Sequence, residues 1–172
     1  QSLRKTLQPS RKFTRGRGVP SPNIDPISDI NELKDYLGMA SPPKVMECFD
    51  ISNISSSHIV ASMVRFENGV PDNSGYRRYR IKGVKKQNDF SSMAEVVRRR
   101  YSRILIDAKK VSGDLGEYNQ ETTYDAVQRI GNKSNLVKLP DLVVVDGGKG
   151  QLSSALKELR RLGLDDLPIV GL

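Results

Sequence analysis

The run Leu142-Val143-Val144-Val145 is continuous and apolar, and it stops at Asp146-Gly147-Gly148 directly before a helical stripe of Leu152, Leu156, Leu159 and Leu162. A strand without polar alternation is buried on both faces, the condition of a parallel strand inside an α/β sheet. Gly163 reads as the C-cap of that helix, and Pro168 to Leu172 as the start of a further strand. Upstream, Val45 to Phe49 reads as a strand ending at Asp50, and Ile59 to Phe66 as a second strand, apolar on both faces. Glu67-Asn68-Gly69 supplies a turn, after which Tyr76 to Lys82 alternates, with Arg78, Arg80 and Lys82 on one face and Tyr79 and Ile81 on the other, as in an edge strand. Phe90, Met93, Val97, Tyr101, Ile104, Leu105 and Ala108 recur at spacings of three and four, which predicts an amphipathic helix over residues 90–110. The order is βββαβαβ. Hairpins require antiparallel neighbours and helical crossovers require parallel ones, so the expectation is a mixed sheet with helices packed on it.

The rest of the chain is less regular. Residues 1–26 mix basic residues with Pro9, Pro20, Pro22, Pro26, Gly16 and Gly18 and read as an arm. Ser28 or Asp29 is expected to cap a short helix running to Leu37, with Gly38 as its stop and Pro42-Pro43 as the boundary. The domain organisation expected is therefore an arm and linker helix over 1–43 and one α/β domain over 44–172. Residues 111–138 are polar, with a short helix around Tyr124 to Ile130, and read as an insertion.

The net charge of +8 is unevenly distributed. Residues 1–24 carry +6 and residues 76–110 carry +9, while the remainder is net acidic. Two basic blocks on an acidic chain point to a polyanionic partner, because each phosphate neutralised by Lys or Arg releases counterions. Cys48 is the only cysteine and His58 the only histidine, which excludes an internal disulfide, a thiolate cluster and a His-rich zinc site. The single thiol and the lack of any 18-residue apolar run lead to the expectation of a soluble, cytoplasmic chain with no membrane partner.

Carboxylates therefore carry the candidate chemistry. Asp50 and Asp146 each end an apolar strand, and on neighbouring parallel strands both would emerge at one sheet edge. Paired carboxylates suit Mg²⁺ or Mn²⁺, which activate water and stabilise the leaving oxygen in phosphodiester cleavage. The alternative for either aspartate is a simple turn or helix cap. Gly147 to Gly150 lacks the Gly-Lys-Ser/Thr ending of a P-loop, but its backbone amides and Lys149 suit a nucleic-acid phosphate. Asp89 stands where an N-cap is expected. His58 reads as a surface residue and Cys48 as a small buried side chain.

Cys48-Phe49-Asp50-Ile51-Ser52-Asn53, Val60-Ala61-Ser62-Met63-Val64, Tyr76-Arg77-Arg78-Tyr79, Asp89-Phe90 with Met93, Arg98-Arg99-Arg100-Tyr101, and Pro140-Asp141-Leu142 through Asp146-Gly147-Gly148-Lys149-Gly150-Gln151-Leu152 closely resemble the C-terminal endonuclease region of UvrC, the nuclease subunit of the UvrABC excision-repair system. The resemblance covers residues 44–172. It implies a ribonuclease H-like mixed sheet of order 3-2-1-4-5, here stopping at the fifth strand, and a Mg²⁺- or Mn²⁺-dependent DNA endonuclease that makes the 5′ incision beside a lesion. It implies that Asp50 and Asp146 bind the metal and that Asp89 takes part in incision, although Asn88 replaces the aspartate the family usually shows before it. The family's catalytic histidine lies beyond the strand at which this chain stops, so the chain alone is expected to be nearly inactive. The partners implied are damaged double-stranded DNA and the UvrB helicase subunit, the latter through a segment absent here. Lys149, Arg77, Arg78, Arg80, Arg98, Arg99, Arg100 and Arg103 are the expected DNA-binding residues. The alternative from another class is a noncatalytic nucleic-acid-binding module on the same fold.

Overall fold

The computed structural model describes residues 25–55, 58–82, 88–112, 121–134 and 137–172. The N-terminal arm, residues 113–120 of the expected insertion and the side chain of His58 lie outside the described residues.

Helix α1 spans Pro26–Leu37. Its cap is Asp25, whose carboxylate accepts from the Ile27 and Ser28 amides at 3.2 Å, and not Ser28 or Asp29 as expected. Pro26 occupies the first helical position, where its missing N–H costs nothing, and Gly38 (φ 66°) ends the helix in the left-handed conformation. Strands β1 (Val45–Ser55) and β2 (His58–Glu67) pair antiparallel. Asn68 (φ 52°) and Gly69 (φ 80°) then make a two-residue turn with both residues at positive φ, the geometry that matches strand twist.

The third strand is interrupted, which differs from the single run expected over 76–82. Strand β3 is only Val70–Pro71, and β4 is Arg77–Arg80. Between them the chain bulges into a 3₁₀ turn, Asn73–Gly75. Pro71 has no amide to extend a ladder, and the Asp72 carboxylate instead accepts from the Ser74 amide (3.2 Å) and hydroxyl (2.6 Å). Both pieces pair with the same edge of β2. Helices α2 (Asp89–Ser112) and α3 (Thr123–Gly131) then lead to β5 (Leu142–Asp146), and α4 (Lys149–Arg161) leads to β6 (Ile169–Gly171). β5 is parallel to both β1 and β6. The sheet order is β3-β2-β1-β5-β6 with β4 also on β2, the expected 3-2-1-4-5 order once β3 and β4 count as one broken strand.

Alternation along each strand assigns the sheet two faces. On one, Phe49, Ala61, Met63, Val143, Val145 and Ile169 meet Met93, Val97, Tyr101 and Ile104 of α2 and Ala155 and Leu159 of α4 in the main core. Part of the expected insertion contributes to this core: Val127 and Ile130 of α3, with Val137 and Leu139 after it, are buried in it. Phe90, expected in the helix stripe, is 54% exposed. On the other face α1 lays Leu33, Leu37 and the following Met39 over Met46, Leu142, Val144 and Val170. The expected linker helix thus packs on the sheet, covering the half where β1 and β5 begin and leaving the half where they end.

One carboxylate lies inside the main core. Glu47 is fully buried on β1 and accepts from Arg100 Nε (3.1 Å) and Nη2 and from the Tyr101 hydroxyl (3.0 Å), with Arg65 Nη1 at 3.9 Å. Burial opposes charge on Arg100, but the hydrogen bond and charge of Glu47 raise its pKa above the ordinary value. Burial and the same carboxylate push the Tyr101 phenol well up. Removing one member of a buried ion pair leaves the other uncompensated, so Glu47→Ala is expected to cost about 3 to 5 kcal/mol in urea denaturation. Arg103→Ala, which removes an exposed i,i+4 pair with Asp107, is expected to cost less than about 1 kcal/mol. Equal costs would contradict the central role of Glu47.

Candidate active site

The carboxylate-bearing residues Asp50 and Asp146 are the final partners in the parallel register of β1 and β5. Residues paired in this way carry side chains on the same face, on strands roughly 4.8 Å apart. The two aspartates therefore stand side by side at the C-terminal strand ends, on the face that α1 leaves open. The Ser52 hydroxyl donates to Asp50 Oδ2 at 2.9 Å, which orients that carboxylate. Sequence reading gave Ser52 no role, although its position two residues after Asp50 on a strand puts it on the same face.

Cys48, two residues earlier, also lies on this face, beside Val144. Burial, together with the negative charges of Asp146 and Asp50, pushes its thiol from 9.0 up to about 11. Their donor chemistry, two hard carboxylate oxygens on adjacent strands, fits a divalent ion such as Mg²⁺ or Mn²⁺. Among the described residues no third His, Cys, Asp or Glu joins them in a cluster that could hold a metal.

The loop after Asp146 is shaped by close contacts. The Gly148 amide donates to Gln151 Oε1 at 2.8 Å, so the Gln151 side chain caps α4. A Cβ on Gly147 would lie 2.0 Å from that oxygen, and one on Gly150 would lie 2.4 Å from the Phe90 ring. The missing Cβ atoms leave room for both side chains as they stand, and the second contact seats the start of α2 against the start of α4. Lys149 is exposed in the first turn of α4, where free amides and the helix dipole favour an anion. Asp89 is not the cap of α2. Asn88 is, its Oδ1 accepting from the Ser91 amide at 3.1 Å, and Asp89 is the first helical residue.

The arginines expected to bind DNA divide between two environments. Arg100 is held by Glu47, and Arg103 by Asp107 at 2.9 Å. Arg99 bonds Glu95 (3.2 Å) and the Arg80 carbonyl (2.8 Å) and lies over the Tyr79 ring at 5.4 Å. Arg77 Nη1 donates to the carbonyls of Ser74 (2.8 Å) and Tyr76 (2.7 Å), fastening the bulge. Arg98 is exposed on α2. Arg78 and Arg80 are exposed on β4, and by register with Ser62 and Val60 they share the face of Asp50.

Residues 34–172 match the family described as the UvrC RNAse H endonuclease domain. The chain is 42% identical over 144 residues to the UvrABC system protein C of Symbiobacterium thermophilum, covering 83% of this chain and 22% of that protein. It is 41% identical over 143 residues to its counterpart in Methanosarcina acetivorans, with 83% and 22% covered, and 38% identical over 142 residues to that of Hydrogenovibrio crunogenus, with 83% and 19% covered. The chain thus spans about a fifth of the length of these relatives. A crystal structure of Ciona intestinalis Endonuclease V with a 24mer DNA containing an inosine followed by a ribo-adenosine aligns with a TM-score of 0.42 and 15% identity, over 84% of this chain and 54% of that one. No helix among the described residues is long and apolar enough to cross a membrane.

A raised thiol pKa has a consequence for stability. The folded state holds the Cys48 proton more tightly than the unfolded chain, so this contribution is complete below pH 9.0 and is lost as pH rises toward about 11. Discounted for partial exposure of the side chain, the loss is on the order of 1 kcal/mol. The urea midpoint of the wild type is expected to fall more steeply than that of Cys48→Ala across this window, and parallel declines would contradict the assignment. With paired carboxylates at two parallel strand ends, a glycine-shaped loop behind them and matched sequence over 34–172, this chain belongs to the UvrC RNAse H endonuclease domain family.

Proposed function

We propose that this domain is a divalent-metal-dependent DNA endonuclease that makes the 5′ incision beside a lesion in double-stranded DNA, as the nuclease part of a UvrABC-type excision reaction. The observation that carries this reading is the register of Asp50 with Asp146 in a chain of this family. Asp50 and Asp146 are the residues that would hold Mg²⁺ or Mn²⁺, and a bound ion would supply polarisation of the phosphodiester and activation of water. The chain's own groups do the positioning. Ser52 fixes one oxygen of Asp50, and Gln151 and Gly147 set the loop that follows Asp146. Lys149 and the first turn of α4 present positive potential to a phosphate beside the carboxylates. Asp89, at the start of α2, is proposed to act in incision without being a metal ligand. UvrB is the proposed helicase partner, reached through a segment outside this chain, and the cytoplasm is the proposed location.

A noncatalytic nucleic-acid-binding module on the same fold draws support from one observation, that two carboxylates and no third ligand are clustered among the described residues. Calorimetric titration with Mn²⁺ separates the readings. The nuclease reading expects saturable Mn²⁺ uptake that is weakened at least about 100-fold by Asp50→Asn or Asp146→Asn, while Asp89→Asn retains it. In the domain extended past Leu172, metal-dependent nicking is expected to fall in the same two variants by a similar factor. Mn²⁺ uptake identical in wild type and the Asp50→Asn, Asp146→Asn double variant would overturn it.

A further inference from the structure

The bulge between β3 and β4 builds a second feature at the edge of the sheet. A hollow of about 440 Å³ lies at the sheet edge, lined by Ser62, Met63, Val64, Tyr76, Arg77 and Arg78. It is in line with the candidate active site. Asp146 pairs with Asp50, Asp50 with Ser62, and Ser62 with Arg78, so one cross-strand row runs from the carboxylates to the hollow. Two strand spacings put Arg78 roughly 10 Å from Asp50 at the backbone.

The walls are fixed and their chemistry is specific. Asp72 anchors the bulge through Ser74 and through Arg65 Nε at 3.0 Å, and its amide donates to the Arg65 carbonyl at 2.8 Å. The hydrogen bond from Ser74, aided by Arg65, holds the Asp72 carboxyl below its ordinary pKa. Arg77 ties the far side to two carbonyls. Against these held groups stand two unclaimed ones. Tyr76 is 37% exposed, and the guanidinium of Arg78 has no partner among the described residues. Tyr76, Arg78 and Ser62 all line the hollow, and an aromatic ring with a guanidinium that has no partner among the described residues is the combination that holds a base and its phosphate in single-stranded nucleic-acid sites.

We propose that this hollow holds one unpaired nucleotide of the DNA strand flanking the bond to be cut, its base against Tyr76 and its phosphate on Arg78. The proposal rests on the nuclease reading above and names where its substrate strand is gripped. It makes Tyr76 and Arg78 positioning residues. It also divides the basic residues by role: those of α2 held by Glu47, Glu95 and Asp107 serve the fold, and Arg78 serves the substrate.

The test is fluorescence titration of the full 172-residue chain with an oligonucleotide carrying 2-aminopurine, as a single strand and as a duplex of the same sequence, between about 50 and 200 mM salt. The single strand is expected to bind more tightly and to change its 2-aminopurine fluorescence. Tyr76→Ala is expected to weaken single-strand binding at least fivefold and remove that change, with Tyr76→Phe restoring both. Arg78→Ala is expected to lower the salt slope by about 0.7, and Arg129→Ala, on α3 and paired with Glu121, to leave it unchanged. Circular dichroism confirms folding of each variant. Wild-type affinity, salt slope and fluorescence change in folded Tyr76→Ala and Arg78→Ala would overturn the proposal. If Asp50→Asn then still abolishes Mn²⁺ uptake, the hollow fails alone. If the hollow variants behave as expected while Asp50→Asn leaves Mn²⁺ uptake intact, the nuclease reading fails and the hollow stands as a strand-binding site.

Discussion

Parallel pairing of β1 with β5 is the constraint on which the rest of the structure depends. Two parallel strands cannot be joined by a tight turn, so the chain between them must leave the sheet, cross it and return. Here that crossing passes through α2 and α3, whose Met93, Val96, Val97, Tyr101, Ile104, Ala108, Val127 and Ile130 form the helical wall of the main core. The same pairing fixes register from Met46–Leu142 to Asp50–Asp146. A slip of one residue would exchange the faces of a strand and put an aspartate among Met93, Val97 and Leu159. Burial of the apolar face thus sets the position of the carboxylates.

Glu47 shows how that pairing is reinforced from below. It lies three residues before Asp50, on the opposite face, and its bonds to Arg100 and Tyr101 tie β1 to α2. Arg65 extends the network across β2 to Asp72 at the root of the bulge. A buried ion cluster contributes less net stability than an apolar core of equal volume, but misplacing any member is costly, and this favours one docking of α2 on the sheet. The start of α2 then meets Gly150 at the start of α4, beside Asp146. Core and candidate site are connected through that helix.

Much of this was legible in the sequence because it rests on local period. The unbroken run 142–145, the two apolar strands 45–49 and 59–66, and the stripes of α2 and α4 each exceed what a loop would show. The Asp50 and Asp146 positions were legible for the same reason, since each ends such a run. What escaped reading depends on partners far along the chain. Arg100 belongs to a basic run, and only its meeting with Glu47, 53 residues earlier, removes it from the surface. Residues 121–139 look polar because their few apolar groups are dispersed, yet Val127, Ile130, Val137 and Leu139 all enter the core. Asp25-Pro26 carries a cap and first-turn signal, but Pro26 follows Pro20 and Pro22 closely enough to look like the last proline of the arm. The break in the third strand was hidden because Tyr76 to Lys82 alternates well by itself and conceals the bulge before it.

The central claim is that Asp50 and Asp146 form one metal-binding locus. Its most direct measurement is an anomalous difference map from crystals of the chain grown with Mn²⁺. The account predicts one strong peak between β1 and β5, with a carboxylate oxygen of each aspartate within roughly 2.0 to 2.3 Å of it. A peak bound by only one of them, or Mn²⁺ located elsewhere with both carboxylates free, would contradict it.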